Sequence, residues 1–154
     1  MNSGDLIKFF SKDRFISCLQ SKTGDDVLAE LVQPLLDSGL IKNKNVILET
    51  LKKRETLGST GIGHGVAIPH CRTLAINEVN VVIGISKEGI DYNAIDNKPV
   101  NIFFLIVAPP QEISNQYLPV LGKIVEMLRS SKIRKALINV SGYDELLKII
   151  EEEN

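Results

Sequence analysis

The sequence predicts an α/β (α+β) fold with one central sheet covered by helices on both faces, and two observations carry that expectation. Apolar residues recur at helical spacing at both ends of the chain, while short, β-branched, nearly continuous apolar runs fill the middle. Runs of that kind suit strands buried on both sides. No Pro/Gly/Ser linker, repeat or low-complexity tract divides the 154 residues, so a single domain over 1–154 is expected.

The elements follow in order. Phe15 to Leu19 reads as a short first strand. Asp25 to Leu36 reads as a helix capped by Thr23, with Val27, Leu28, Leu31, Val32, Leu35 and Leu36 on one face. Pro34 predicts a bend or an early stop there. A second helix begins after Asn43, turns Val46, Ile47, Thr50 and Leu51 inward, and ends near Arg54. Val66 to Ile68, Val79 to Ser86 and Val100 to Val107, bounded by Gly, Pro, Asn and Asp, read as strands. Beyond Pro109-Pro110 the helical period returns, with Tyr117, Leu118, Leu121, Ile124, Val125 and Leu128 as the inward stripe. Ile133 to Ile138 forms another short helix. Ser141 and Asp144 read as a capping pair ahead of Leu146, Leu147, Ile149 and Ile150.

Composition removes several functional classes. With 18 basic and 19 acidic residues the net charge is −1, which supplies no field for nucleic acid or an anionic membrane. The longest apolar run, Ile102 to Ala108, is far short of the roughly 20 residues that cross a bilayer. The N-terminus lacks a signal-peptide pattern, and Cys18 and Cys71 form no CxxC pair, so a cytoplasmic protein with reduced thiols is expected.

Chemistry concentrates in Gly58-Ser59-Thr60-Gly61-Ile62-Gly63-His64-Gly65-Val66-Ala67-Ile68-Pro69-His70-Cys71. Four glycines, at 58, 61, 63 and 65, would weaken any helix or strand and point to turns or a close approach. No Gly-Lys-Ser/Thr tripeptide ends the loop as a P-loop requires, and GxGxxG fails because its third glycine falls on Val66 or Ile68. His64, His70 and Cys71 lack paired zinc spacing and a fourth ligand, so neither a metal nor any other cofactor is expected. No G-x-S-x-G elbow exists for a hydrolase. A nucleophilic histidine remains: neutral imidazole can attack phosphorus and hold the phosphoryl group. Pro69 restricts the chain before His70 and helps hold the ring.

These residues resemble the type 2 IIA components of the bacterial phosphoenolpyruvate-dependent sugar phosphotransferase system, the fructose–mannitol class that includes the nitrogen-regulatory IIA proteins. The matching positions are Arg54-Glu55, Gly58 to Gly63, Ala67-Ile68-Pro69-His70, Asp91, Ile95 to Val100, Leu105 to Pro109, and Tyr117 to Leu121. They span nearly the whole chain. The resemblance implies a mixed sheet of about five strands and a phosphotransferase with a phosphohistidine intermediate on His70. It implies phospho-HPr or an HPr-like carrier as donor and a IIB component serving sugar uptake as acceptor, with a membrane permease touched only peripherally. Arg54 would stabilise the phosphate through a bidentate guanidinium. Two positions depart from the pattern. Tyr117 stands where the family often has a second histidine, and Cys71 stands where glycine or alanine is usual. Tyr117, His64, Ser59 and Thr60 are supporting candidates, each with a plainer reading: a half-buried helix residue, an exposed loop residue, and two turn formers. Arg54 likewise fits a helix-end residue complementing the dipole, and Cys71 a small packing residue.

Two alternatives stand beside sugar transport. With no IIB or IIC domain fused, the chain also fits a stand-alone regulatory protein that controls a partner through its phosphorylation state. Tyr117 leaves open a degenerate domain that no longer turns over.

Overall fold

The computed structural model describes residues 1–152; residues 153 and 154 of the expected domain lie outside them. One mixed sheet separates two helical layers, as expected. Its strands are β1 (Phe15–Ile16), β2 (Gly61–Gly63), β3 (Val66–Ala67), β4 (His70–Arg72), β5 (Asn80–Ile90) and β6 (Val100–Ala108). Strand β5 pairs with β1 in parallel and with β6 antiparallel; β3 and β4 both run parallel to β6, and β2 closes the other edge against β3.

Segments β3 and β4 form one strand interrupted at Ile68-Pro69. Val66 lies opposite Ile102 and His70 opposite Ile106, so the register passes through the proline without a slip. Pro69 has no N–H to give, but its carbonyl accepts from the Ile106 N–H at 2.9 Å. Counted by position, the sheet has the five strands that the resemblance implies.

Alternation along β6 feeds two cores. Ile102, Phe104 and Ile106 pack beneath α1 (Ser3–Leu6), α4 (Tyr117–Met127), α5 (Ser131–Ile138) and α6 (Tyr143–Glu151). Phe103, Leu105 and Val107 pack beneath α2 (Gly24–Asp37) and α3 (Lys44–Thr56). All six side chains are fully buried.

Several expectations change. Helix α2 runs through Pro34 to Asp37, because Leu35, beyond the proline, is fully buried and holds the last turn in the core. Helix α3 ends at Thr56 and buries only Ile47 and Leu51. Val46 is 45% exposed, and Thr50 turns its hydroxyl back to the Val46 carbonyl at 3.0 Å. In α4 the buried residues are Tyr117, Val120, Lys123, Ile124, Met127 and the following Leu128, with Leu121 and Val125 packed partly buried against the core as expected, whereas Leu118 is 66% exposed. Ser141 caps with Glu145, not Asp144, its hydroxyl donating at 2.6 Å, since Gly142 takes the N-cap position. The first strand pairs only at Phe15 and Ile16, with the Leu19 N–H adding a bond to Ile85. Strand β5 continues past Ser86 to Ile90.

The glycine segment is the largest change. Gly61–Gly63 pairs antiparallel with β3, with an irregularity in its register. Gly61 can lie there because it lacks a side chain: a Cβ would stand 2.8 Å from both the Cα and the Cβ of Ala94. That approach lets the Gly61 carbonyl accept from the Ile95 N–H at 2.9 Å.

Two outcomes follow for stability and reactivity. Gly61→Ala is expected to destabilise by about 1–3 kcal/mol through that backbone clash. Gly122→Ala, in mid-helix with nothing within 4 Å of the new methyl, should stabilise by about 0.5–1 kcal/mol; urea unfolding of both variants checks the signs. Burial pushes the Cys71 thiol up to about 12 from 9.0, while Cys18 is exposed. Mass spectrometry after alkylation at pH 8 should find Cys18 modified in the folded protein and both cysteines modified only after unfolding. The raised Cys71 value means that the folded state holds its proton more tightly, so this contribution is complete below pH 9 and is lost as pH rises towards 12. Cys71→Ala should flatten that part of the alkaline decline in Tm.

Candidate functional site

His70 sits on β4 with the parity of Val66 and Ile68, which turns its ring to the α4 side of the sheet. Cys71 takes the opposite side, in the core under α2 and α3. The ring is half-buried, and Nδ1 lies 2.7 Å from the Ile68 carbonyl. A carbonyl only accepts, so Nδ1 carries the hydrogen and Nε2 keeps its lone pair. The backbone two residues back therefore sets both ring orientation and tautomer.

Tyr117 opens α4 beside this ring, with centroids 6.4 Å apart and planes tilted by 51°. Gln116, at the N-cap, offers no side-chain cap. Glu112 supplies one instead: its Oε1 accepts from the N–H groups of Gln116 and Tyr117, the latter at 3.1 Å. Burial pushes the Tyr117 hydroxyl up to about 12, assisted by Cys71 and opposed by the positive charges of Arg72 and Arg54. At neutral pH it is a neutral donor.

Arg72 shares the His70 face of β4, being two residues on. Its guanidinium carbon lies 4.3 Å from the Tyr117 ring centroid, and Nη1 donates to the carbonyls of Pro109 at 3.2 Å and Pro110 at 3.3 Å. Arg54 lies in the last turn of α3, which packs on β4. Its Nη1 donates to the Gly58 carbonyl at 2.9 Å and folds the loop back over the helix end. Among the described residues neither Arg54 nor Arg72 forms an ion pair, so both guanidiniums keep their charge for another anion.

Glu55 organises the loop from beneath. Its carboxylate accepts from the Thr60 hydroxyl and, at 3.1 Å, from the Thr60 N–H. The Tyr92 hydroxyl lies 3.2 Å from the same threonine oxygen, and burial raises its pKa. Thr60 is buried and committed to Glu55; its hydroxyl is not presented to a ligand. Ser59 Oγ accepts from the Gly61 N–H at 3.0 Å, which leaves its own proton available.

His64 does not join the site. It occupies the tight turn between β2 and β3, with φ of 57° and its N–H on Asp96 at 3.1 Å. Six residues of largely extended chain, roughly 20 Å, separate it from His70. It cannot take the place of a second histidine, and His64, His70 and Cys71 do not converge on one point. The structure thus brings together His70 and Tyr117 from the candidates that sequence suggested, leaves Arg54 near enough for its charge to act on the Tyr117 hydroxyl, and adds Arg72, with Glu55 and Glu112 shaping the loops. Arg72 has a sequence signal, since position i+2 on a strand shares a face. Glu112 has none, because a cap five residues ahead of its helix is set by the path of the loop.

Comparison with known proteins places the chain in a family and matches its fold. The sequence model of "Phosphoenolpyruvate-dependent sugar phosphotransferase system, EIIA 2" matches residues 8–153. The fructose-specific EIIABC component of Bacillus subtilis is 32% identical over 136 residues, 88% of this chain but only 21% of that protein. The chain therefore spans about a fifth of that relative's length. The crystal structure of nitrogen regulatory protein IIA-Ntr from Neisseria meningitidis superposes with a TM-score of 0.83 at 28% identity, covering 93% of this chain and 97% of that one. The Escherichia coli mannitol IIA, solved in complex with phosphorylated enzyme IIB, shares the fold with a TM-score of 0.76 at 16% identity, covering 93% and 97%. The chain belongs to the EIIA type 2 family of the phosphoenolpyruvate-dependent sugar phosphotransferase system.

Proposed function

We propose that the protein, as a single cytoplasmic type 2 IIA domain over residues 1–154, carries a phosphoryl group on Nε2 of His70. It takes that group from phospho-HPr or an HPr-like carrier and passes it to a IIB component for sugar uptake, with no cofactor or metal and no role for nucleic acid. The observation that carries this reading is the His70 ring itself, with Nδ1 tied to the Ile68 carbonyl and Nε2 left as the nucleophile. In the transfer, the Nε2 lone pair forms a bond to phosphorus as the donor's P–N bond breaks, and the donor nitrogen recovers that electron pair. The proton stays on Nδ1, donated in a hydrogen bond to the Ile68 carbonyl, which supports the positive charge on the phosphorylated ring. Arg54 meets the negative charge on the phosphoryl oxygens.

Exclusion of water fits the same surface. Leu57, Leu74 and Leu118 are 85%, 89% and 66% exposed, and each lies within three residues of Arg54, Arg72 or Tyr117. Docking of a partner over them would dry the transferring group. The Escherichia coli mannitol IIA bound to phosphorylated IIB supports a IIB acceptor of the same kind.

Likeness to the Neisseria nitrogen regulatory protein over nearly the whole of both chains favours a second reading. There the phosphorylation state of His70 sets affinity for a regulatory target, through the roughly −1.5 to −2 charges that a phosphate adds. A pull-down that recovers one protein with the unphosphorylated form alone would favour regulation. Efficient passage to a sugar-specific IIB would favour transport.

Incubation with phosphoenolpyruvate, enzyme I and HPr should add one acid-labile phosphate, and His70→Ala should abolish it. Labelling that survives in His70→Ala overturns the assignment. Arg54→Gln should slow labelling on the order of 10²-fold, while His64→Ala should leave its rate unchanged.

A further inference from the structure

Resting on the reading of His70 as phosphoryl acceptor, we propose that Arg72, stacked on Tyr117, is a second cation of the phosphoryl site. Arg72 and His70 alternate onto one face of β4, and both border the Tyr117 ring, at 4.3 Å for the guanidinium carbon and 6.4 Å for the imidazole centroid. That placement puts a permanent positive charge beside the acceptor ring from the same strand, independently of Arg54 on α3.

The guanidinium is held but not used up. Nη1 directs its two hydrogens at the carbonyls of Pro109 and Pro110. Nε and Nη2 have no protein acceptor among the described residues, and no carboxylate pairs with the group. Arg72 is an exposed residue, so these donors remain open to an incoming anion. A planar cation with one edge clamped by carbonyls and one face on an aromatic ring has lost most of its conformational freedom. It can then offer its remaining donors to an oxyanion at little entropic cost. Tyr117 thereby acquires a positive role: it is the platform that orients Arg72, which makes it a positioning residue and not a vacant histidine position.

The alternative is a clamp that only fastens the β6–α4 connection, and the experiment separates the two. Phosphorylation by phosphoenolpyruvate, enzyme I and HPr is timed for wild type, Arg72→Gln, Arg72→Lys, Tyr117→Leu and Tyr117→Phe. Tm is measured for each, and the phosphohistidine is titrated by 31P NMR. Arg72→Gln should slow labelling on the order of 10- to 100-fold and raise the apparent pKa of the phosphoryl group. Arg72→Lys, which retains the charge, should recover most of both. Tyr117→Leu should resemble Arg72→Gln, Tyr117→Phe should lose less, and the Tyr117→Leu/Arg72→Gln pair should fall short of additive. A lowered Tm with wild-type labelling and an unchanged 31P titration in Arg72→Gln would make Arg72 a clamp and overturn the proposal. Should Arg72→Gln fail to fold, the same result in Tyr117→Leu overturns it. Wild-type protein that takes no label at all would instead fail the reading of His70 itself.

Discussion

The pairing of β4 with β6 is the constraint on which the site depends. His70 faces the α4 layer because it lies opposite Ile106 in a register that begins at Val66 and Ile102. A slip of one residue would send the imidazole into the core beneath α2 and α3 and bring Cys71 to the surface. The strand is pinned against such a slip at both ends. Gly65 accepts from the N–H groups of Asn101 and Ile102, and the Thr73 N–H reaches the Ala108 carbonyl at 2.8 Å. Between them the Pro69 carbonyl accepts from the Ile106 N–H, while Ile68, whose N–H reaches the Thr60 carbonyl on the side away from β6, is left with its carbonyl free for the His70 ring. Position, orientation and tautomer of one side chain thus follow from the backbone of its own strand.

Charge is distributed around that ring in a consistent way. Carboxylates near the site are turned to structural work: Glu55 holds Thr60, and Glu112 holds the first turn of α4. Among the described residues the two guanidiniums have no counter-ion. Cations without ion pairs beside engaged carboxylates are free to meet an added anion, whereas an ion pair such as Arg54–Glu55 would have to be broken first. The sequence order Arg-Glu conceals this division, because adjacent helical residues project in different directions.

Much of this was legible in the sequence wherever periodicity and burial agree. The two-faced sheet and the strands at Val66 to Ile68, Val79 to Ser86 and Val100 to Val107 rest on patterns that tertiary packing reinforces, and the motif at the end of the first of them singles out His70 for the proposed role. The misses arise where packing overrides a local rule. Pro34 does not stop α2 because Leu35 anchors the turn beyond it. Leu118 and Val46 are apolar yet exposed, since helical spacing places them at the edge of a stripe and only the neighbouring elements decide which edge is covered. Gly61–Gly63 reads as a loop because glycine disfavours strands, but the close approach of Ala94 makes glycine the residue that fits there. His64 and Ser59 share one motif with His70, yet nearness in sequence carries little information about distance once a strand runs straight between them.

Tyr117 is where composition and function meet most closely. A histidine there would share the work of charge with a group that titrates near physiological pH. A phenol held neutral by burial, with its hydroxyl raised to about 12, cannot do so. The chain instead sets guanidiniums around that phenol, and a guanidinium does not deprotonate in proteins. The positive charge that these guanidiniums place beside Tyr117 is therefore the same at pH 6 and at pH 9. An aromatic ring that cannot carry charge still fixes the direction of one that always does.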